Sequence, residues 1–189
     1  GVQLTVADTA FDSNLGKGGG AVALKSADPS ISPTRGDFTS CTFESNTATY
    51  LADGTINHDG GGLYSKNSFV SLKSSKFISN AATSGGGVYI TFTESVDNTN
   101  PMTLESTLFS MNTAVSPDTY GEGAGIYAIQ LSSGGKSMIR LKGGDNIFEG
   151  NKRFLPSDNW EEKKEINAWV LKNDATVEVD RCPLGKWRG

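Results

Sequence analysis

Phe77-Ile78-Ser79-Asn80-Ala81-Ala82-Thr83-Ser84-Gly85-Gly86-Gly87-Val88-Tyr89-Ile90 holds the two phrases from which the fold is read. The first, Phe-x-x-Asn, recurs as Phe11/Asn14, Phe43/Asn46, Phe77/Asn80, Phe109/Asn112 and Phe148/Asn151, with Phe-to-Phe steps of 32, 34, 32 and 39 residues. The second is a glycine triplet running into a short apolar strand. It returns as Gly18-Gly19-Gly20-Ala21-Val22 and Gly60-Gly61-Gly62-Leu63-Tyr64, and more loosely as Gly123-Ala124-Gly125-Ile126-Tyr127. Self-similarity at such a period marks a stacked array of small units.

Upstream of the Phe positions, apolar residues recur two apart, at Leu4/Val6, Val70/Leu72, Met102/Leu104, Ile139/Leu141 and Val177/Val179. That period puts both members on one face of a strand. The step from this strand to the Phe position is 5 residues for Val6, Phe38, Leu72 and Leu104, and again from Val179 to Leu184. It is two longer before Phe148, where Gly143-Gly144 reads as a bulge or turn. The strand after the glycines carries Val22, Leu63, Val88 and Ile126, and Val170 takes that place in Ala168-Trp169-Val170-Leu171.

Steps from the Asn to that later strand vary from 8 to 19 residues. Fixed strands with variable corners predict a parallel β-helix, because inward residues must stack on their equivalents while insertions escape at the corners. The expectation is an all-β solenoid of about six coils, the last with Leu184 in the Phe place. It forms a single domain over residues 1–189, with clear repeats over 1–151 and a long loop and last coil over 152–189. Asn at a corner can satisfy backbone groups and bond the Asn above and below. Glycine gives close backbone approach at the opposite corner. Only Glu161-Glu162-Lys163-Lys164-Glu165-Ile166 has the character of a helical turn.

The chain has 189 residues and a formal net charge of −4, and no stripe of Lys and Arg is visible. Nucleic acid and anionic membrane are therefore not expected as partners. No apolar run approaches the roughly 20 residues of a membrane helix, so no membrane insertion is expected. Cys41 and Cys182 fall at equivalent places two residues before the Phe position, four coils apart. At about 4.8 Å per coil that is ~19 Å, beyond disulfide reach. Cys41 reads as a small buried hydrophobe, and Cys182 is free for a partner outside this segment.

Phe-x-x-Asn alternating with Gly-Gly-Ala and an aliphatic residue resembles the repeat of the chlamydial polymorphic outer membrane proteins. Gly19-Gly20-Ala21-Val22 fits that phrase to the letter, and Gly60-Gly61-Gly62-Leu63 and Gly85-Gly86-Gly87-Val88 fit with Gly in place of Ala. The resemblance covers residues 1–151 well and 152–189 weakly. It implies a right-handed parallel β-helix at a cell surface or in an extracellular matrix, acting in adhesion or assembly, with no catalytic residues and no cofactor. Cys182-Pro183-Leu184-Gly185 is also similar to the opening of small cysteine-rich repeats that follow such arrays in some eukaryotic surface proteins.

An enzyme on polysaccharide, a lyase or hydrolase, is the alternative reading. Such β-helix enzymes carry clustered aspartates, a Gly-His-Gly and an Arg-x-Lys, of which only Arg140-Leu141-Lys142 is present. The sole histidine, His58, has no adjacent aspartate pair, and two cysteines with one histidine do not make a zinc set. Asp53, Asp59, Asp118 and Glu122 lie in corner loops and carry the oxygen ligands that calcium takes, although the ordinary role of such acids is solubility. The long insertions after Asn46, Asn112 and Asn151 also carry Tyr50, His58, Tyr120, Phe154 and Trp160. Loops on a rigid scaffold are where recognition usually lives, so these residues are the candidate recognition set, for a glycan or a surface protein. Neither end shows a capping helix, which predicts head-to-tail self-association or neighbouring domains of a longer chain. The charged stretch 152–166 is the one candidate for a partial cap.

Overall fold

The computed structural model describes residues 1–27, 34–48, 59–93, 102–115, 122–130, 139–142, 145–154, 169–172 and 177–179. Each coil carries four strands. The first holds β1 (Gln3–Ala7), β2 (Ala10–Asp12), β3 (Leu15–Gly16) and β4 (Val22–Lys25), and the second β5 (Thr34–Thr39), β6 (Thr42–Glu44), β7 (Thr47–Ala48) and β8 (Leu63–Lys66). The third holds β9 (Ser68–Lys73), β10 (Lys76–Ile78), β11 (Ala81–Ala82) and β12 (Val88–Phe92). The fourth holds β13 (Met102–Glu105), β14 (Leu108–Ser110), β15 (Thr113–Val115) and β16 (Ile126–Gln130). The fifth holds β17 (Ile139–Leu141), β18 (Ile147–Glu149), β19 (Lys152–Phe154) and β20 (Trp169–Lys172), and β21 (Val177–Val179) opens a sixth.

Equivalent strands pair in parallel into four sheets, one of six strands and three of five. The chain is a parallel β-helix, with no helix among the described residues. Its interior is built in columns. Leu4 and Val6 stand over Gly36 and Phe38, then Val70 and Leu72, Met102 and Leu104, Ile139 and Leu141. Val22, Leu63, Val88 and Ile126 form the facing column. Gly36 breaks the first column because Phe38 and Leu24 fill its space, and a Cβ there would collide with both side chains.

Two strands per coil were legible in the sequence, and the short strand directly after the Asn was not. The region after Asn151 is corrected for the same reason. Lys152–Phe154 is strand β19, paired with β15, so Phe154 belongs to the sheet and not to a projecting loop, and the first residues of the charged stretch are coil, not cap. The register after the glycine phrase also moves by one. Trp169, not Val170, stands opposite Ile126, and Val170 stands opposite Tyr127. A one-residue slip exchanges the two faces of a strand, and this strand has no glycine phrase to mark its start. Gly143-Gly144, the turn at 161–166, Cys182 and Leu184 lie outside the described residues.

The corners are set by left-handed residues. Asp8, Ser40, Ser74 and Ser106 turn the chain after the first strand of successive coils with φ of 49–53°. Ser13, Ser45, Ser79, Met111 and Gly150 do so immediately before each repeat Asn with φ of 53–59°. At the third corner the requirement is steric as well. Gly60 has φ 72°, and a Cβ on Gly61 would overlap the backbone carbonyl oxygens of Gly86 and Ala81. The coils approach there too closely for a side chain.

Candidate functional site

The Phe-x-x-Asn residues form two rails along the solenoid axis. Rings of Phe11, Phe43, Phe77, Phe109 and Phe148 stack with centroid separations of 4.7, 4.4, 5.0 and 4.9 Å and interplanar angles of 13° or less. Phe43, Phe77 and Phe109 are fully buried, and Phe11 and Phe148, the outermost rings among the described residues, are half-buried. Fully burying such a side chain is worth about 1.5–3 kcal/mol before any ring-stacking gain.

Beside the rings, Asn14, Asn46, Asn80, Asn112 and Asn151 form a directional hydrogen-bond chain. Each of the first four donates its backbone N–H and its Nδ2 to the Oδ1 of the next Asn, at 3.0 and 2.9 Å. The Nδ2 groups of Asn46, Asn80, Asn112 and Asn151 also donate to the carbonyl of the Phe one coil back, at 2.8–3.0 Å. The three central carboxamides are fully buried, and both their ends are satisfied.

A second polar rail runs two residues before each Phe. Thr9 donates its hydroxyl to the Ala7 carbonyl. Cys41 Sγ bonds the carbonyls of Thr39 and Val6, Ser75 Oγ those of Lys73 and Phe38, and Thr107 Oγ1 those of Glu105 and Leu72. Asn146 continues this rail, its Nδ2 reaching the carbonyls of Lys142 and Leu104 at 3.4 and 3.5 Å. Cys41 is thus a hydrogen-bonded corner residue as well as a buried free thiol.

The outer face of the sheet that begins with β4 carries a third ladder. Tyr64, Tyr89 and Tyr127 stand in register, their rings stacked at 5.3 and 5.2 Å. Ala23 holds that position in the first coil, and Lys25 Nζ lies 5.2 Å from the centroid of the Tyr64 ring. Asp59 sits beside this ladder, bridged to Ser84, which is bridged in turn to Glu122. Burial pushes the Asp59 carboxyl up to about 7, against the lowering effect of a backbone hydrogen bond from Ser84. The phenols of Tyr64 and Tyr89 are raised by burial first and by the charge of Asp59 second.

Of the candidate recognition residues, Asp59 and Glu122 fall in one column, two inter-strand steps apart. That is about 10 Å, with Ser84 between them. Tyr50, Asp53, His58, Asp118, Tyr120 and Trp160 lie outside the described residues. Among the described residues, no three His, Cys, Asp or Glu gather where one metal ion could join them. Arg140 and Lys142 flank inward-facing Leu141 on the outer face of the six-stranded sheet, with Thr103 opposite Arg140. Sequence reading missed the tyrosine ladder. Its signal was the Tyr that follows the first apolar residue after the glycines in three successive coils.

Residues 40–66 match the family model of the Chlamydia polymorphic membrane protein repeat. The matched span runs from the corner before Phe43 through β8, three sides of one coil. The chain carries this repeat. No curated protein and no solved structure gave a match.

Proposed function

We propose that the chain is a non-enzymatic structural and adhesive module of a cell-surface or extracellular protein. It is a stiff parallel β-helix that presents its corner loops to a glycan or protein ligand, and it joins end to end with further solenoid segments. The observation that carries this reading is the use of the repeat residues. The described phenylalanines and asparagines of the repeat bind one coil to the next, so the interior holds structure and the outer faces remain for recognition. The matching repeat, that of a membrane protein family, supports the surface location.

Beads coated with the chain should adhere to host-cell or matrix surfaces, and soluble chain should compete for them. Absence of adhesion across glycan and matrix surfaces would count against the reading. Release of new reducing or unsaturated ends from acidic polysaccharide, abolished by Arg140→Ala, would replace it with an enzyme.

A further inference from the structure

The tyrosine ladder is interrupted on the side of the solenoid. Ala23 stands in register with Tyr64, Tyr89 and Tyr127, and it is exposed. Gly18 precedes the left-handed Gly19 as Asp59 precedes Gly60, Ser84 precedes Gly85 and Glu122 precedes Gly123, so the neighbouring column lacks a side chain in the same coil. A Cβ on Gly18 would meet no atom within 4 Å. One face of the Tyr64 ring stacks on Tyr89, and the other looks across Ala23 and Gly18 onto a shallow hollow. Any coil stacked beyond β4 would lie two coil steps from Tyr64, about 9.6 Å, and would bound this hollow without filling it. Asp59 stands at one edge, where its carboxyl takes a hydrogen bond from the Ser84 backbone and keeps further acceptor capacity. At the other edge Lys25 and Lys66 stand directly opposite each other, both exposed and with no ion pair among the described residues. Like charges so placed repel each other, and an anion between them removes the cost.

We propose that this hollow binds one acidic sugar residue of a glycan. The pyranose ring takes the place over Ala23 that a tyrosine fills in the next three coils, where the rings stand 5.3 and 5.2 Å apart, and it lays its apolar C–H face on Tyr64. Its carboxylate or sulfate lies between the ammonium groups of Lys25 and Lys66, and a hydroxyl at the opposite rim donates to the Asp59 carboxyl. Lys25 Nζ, which lies 5.2 Å from the centre of the Tyr64 ring, moves from the ring face to the anion. A neutral sugar would leave the lysine pair unanswered, and an aromatic sulfate from a protein would bring no hydroxyl to Asp59. Aromatic face, cation pair and carboxyl together select a ring that carries both hydroxyls and an anion. The inference rests on the reading of the chain as an adhesive surface module, and it adds a site on a sheet face and the class of glycan taken there.

The test titrates fluorescent tetrasaccharides of hyaluronan and of heparin, neutral chitotetraose and a sulfotyrosine peptide into the full chain, with anisotropy and amide chemical shifts as readouts. Saturable binding of an acidic tetrasaccharide at one site per chain is expected, shifting the amides of Ala23, Lys25 and Tyr64. Binding of hyaluronan assigns the anion as a carboxylate, and binding of heparin alone assigns it as a sulfate. Chitotetraose should bind at least about tenfold more weakly, and Lys25→Ala with Lys66→Ala should weaken the acidic probe about tenfold. Ala23→Tyr completes the ladder, so it should abolish binding while the melting temperature holds or rises. Should that variant fail to fold, the two exposed lysines decide the matter. No acidic binding, equal binding of chitotetraose, preference for the sulfotyrosine peptide, or binding indifferent to these substitutions overturns the proposal. None of those results touches bead adhesion to protein or neutral-glycan surfaces, so the two readings fail separately.

Discussion

Asn46 and Asn80 are joined twice, the backbone N–H of Asn46 at 3.0 Å and its Nδ2 at 2.9 Å both ending on Asn80 Oδ1. Asn80 repeats the same pair of bonds onto Asn112. Each carboxamide therefore binds backward, to a Phe carbonyl, and forward, to the next Asn, and no other side chain offers both ends in this shape.

Asn80→Ala leaves the Asn46 backbone N–H without its acceptor in the interior and removes the side-chain donor to the Phe43 carbonyl. With each orphaned buried group costing about 1–3 kcal/mol, chemical denaturation should show a clear loss. Asn80→Asp should be harmful too at neutral pH, because a carboxylate has no donor for Phe43 or Asn112. An unchanged midpoint in either variant would show that the rail does not hold the corners.

Phe77→Ala removes a ring stacked between Phe43 and Phe109. A loss of about 3–5 kcal/mol is expected in so closed a column. Phe11→Ala, at the half-buried end, should cost distinctly less, and equal losses from the two would contradict the burial described.

Met111 has φ 53° and is 57% exposed, at a corner place that Gly150 fills in the next coil. Met111→Gly should raise the melting temperature, by up to about 1 kcal/mol of stability, since relief of left-handed strain is offset in part by glycine's greater unfolded freedom. A lower melting temperature would mean that the Met side chain contributes more to packing than its exposure suggests.

Cys41→Ser should be tolerated within about 1 kcal/mol. Ser75 already makes the same pair of carbonyl contacts one coil on, so a hydroxyl fits the place. Cys41→Val, which keeps the bulk and removes the donor, should cost more, and calorimetry of the two variants distinguishes the hydrogen bonds from the packing.

The carboxyl of Asp59 ionises near 7 when folded, against 3.8 as the ordinary value. Between those values the folded chain holds a proton that the unfolded chain has released, so stability falls as pH rises from about 4 to 7 and levels off above. The full span is roughly 4 kcal/mol, from about three pH units at about 1.4 kcal/mol each. Asp59→Asn should flatten that slope and stabilise the chain at pH 8. A slope unchanged in the variant would place its origin elsewhere.

The Phe-to-Phe spacing and the strand five residues before it were readable because strand period and column stacking leave little freedom. Ala81–Ala82 was not readable as a strand, being two residues with no period to detect. The left-handed serines were hidden because Ser in a turn announces no particular φ, whereas Gly60 and Gly85 did. Trp169 was misplaced by one because nothing ahead of it fixes the start. For the site, the rails followed from spacing, but the meeting of Asp59 with Tyr64 and Tyr89 depends on which faces of adjacent coils point outward, and that is settled by register.

The rails run parallel to the solenoid axis, which determines how the molecule responds to load. Tension applied between its ends pulls directly on the Asn-to-Asn and strand-to-strand bonds and loads one inter-coil seam at a time, so the fold peels instead of shearing as a block. Each coil freed would lengthen the chain by about 110 Å, from the 32-residue repeat step at about 3.4 Å per residue. A tether anchored at one end of such a solenoid would yield in repeated small steps, taking up sudden pulls while the remaining coils stay folded.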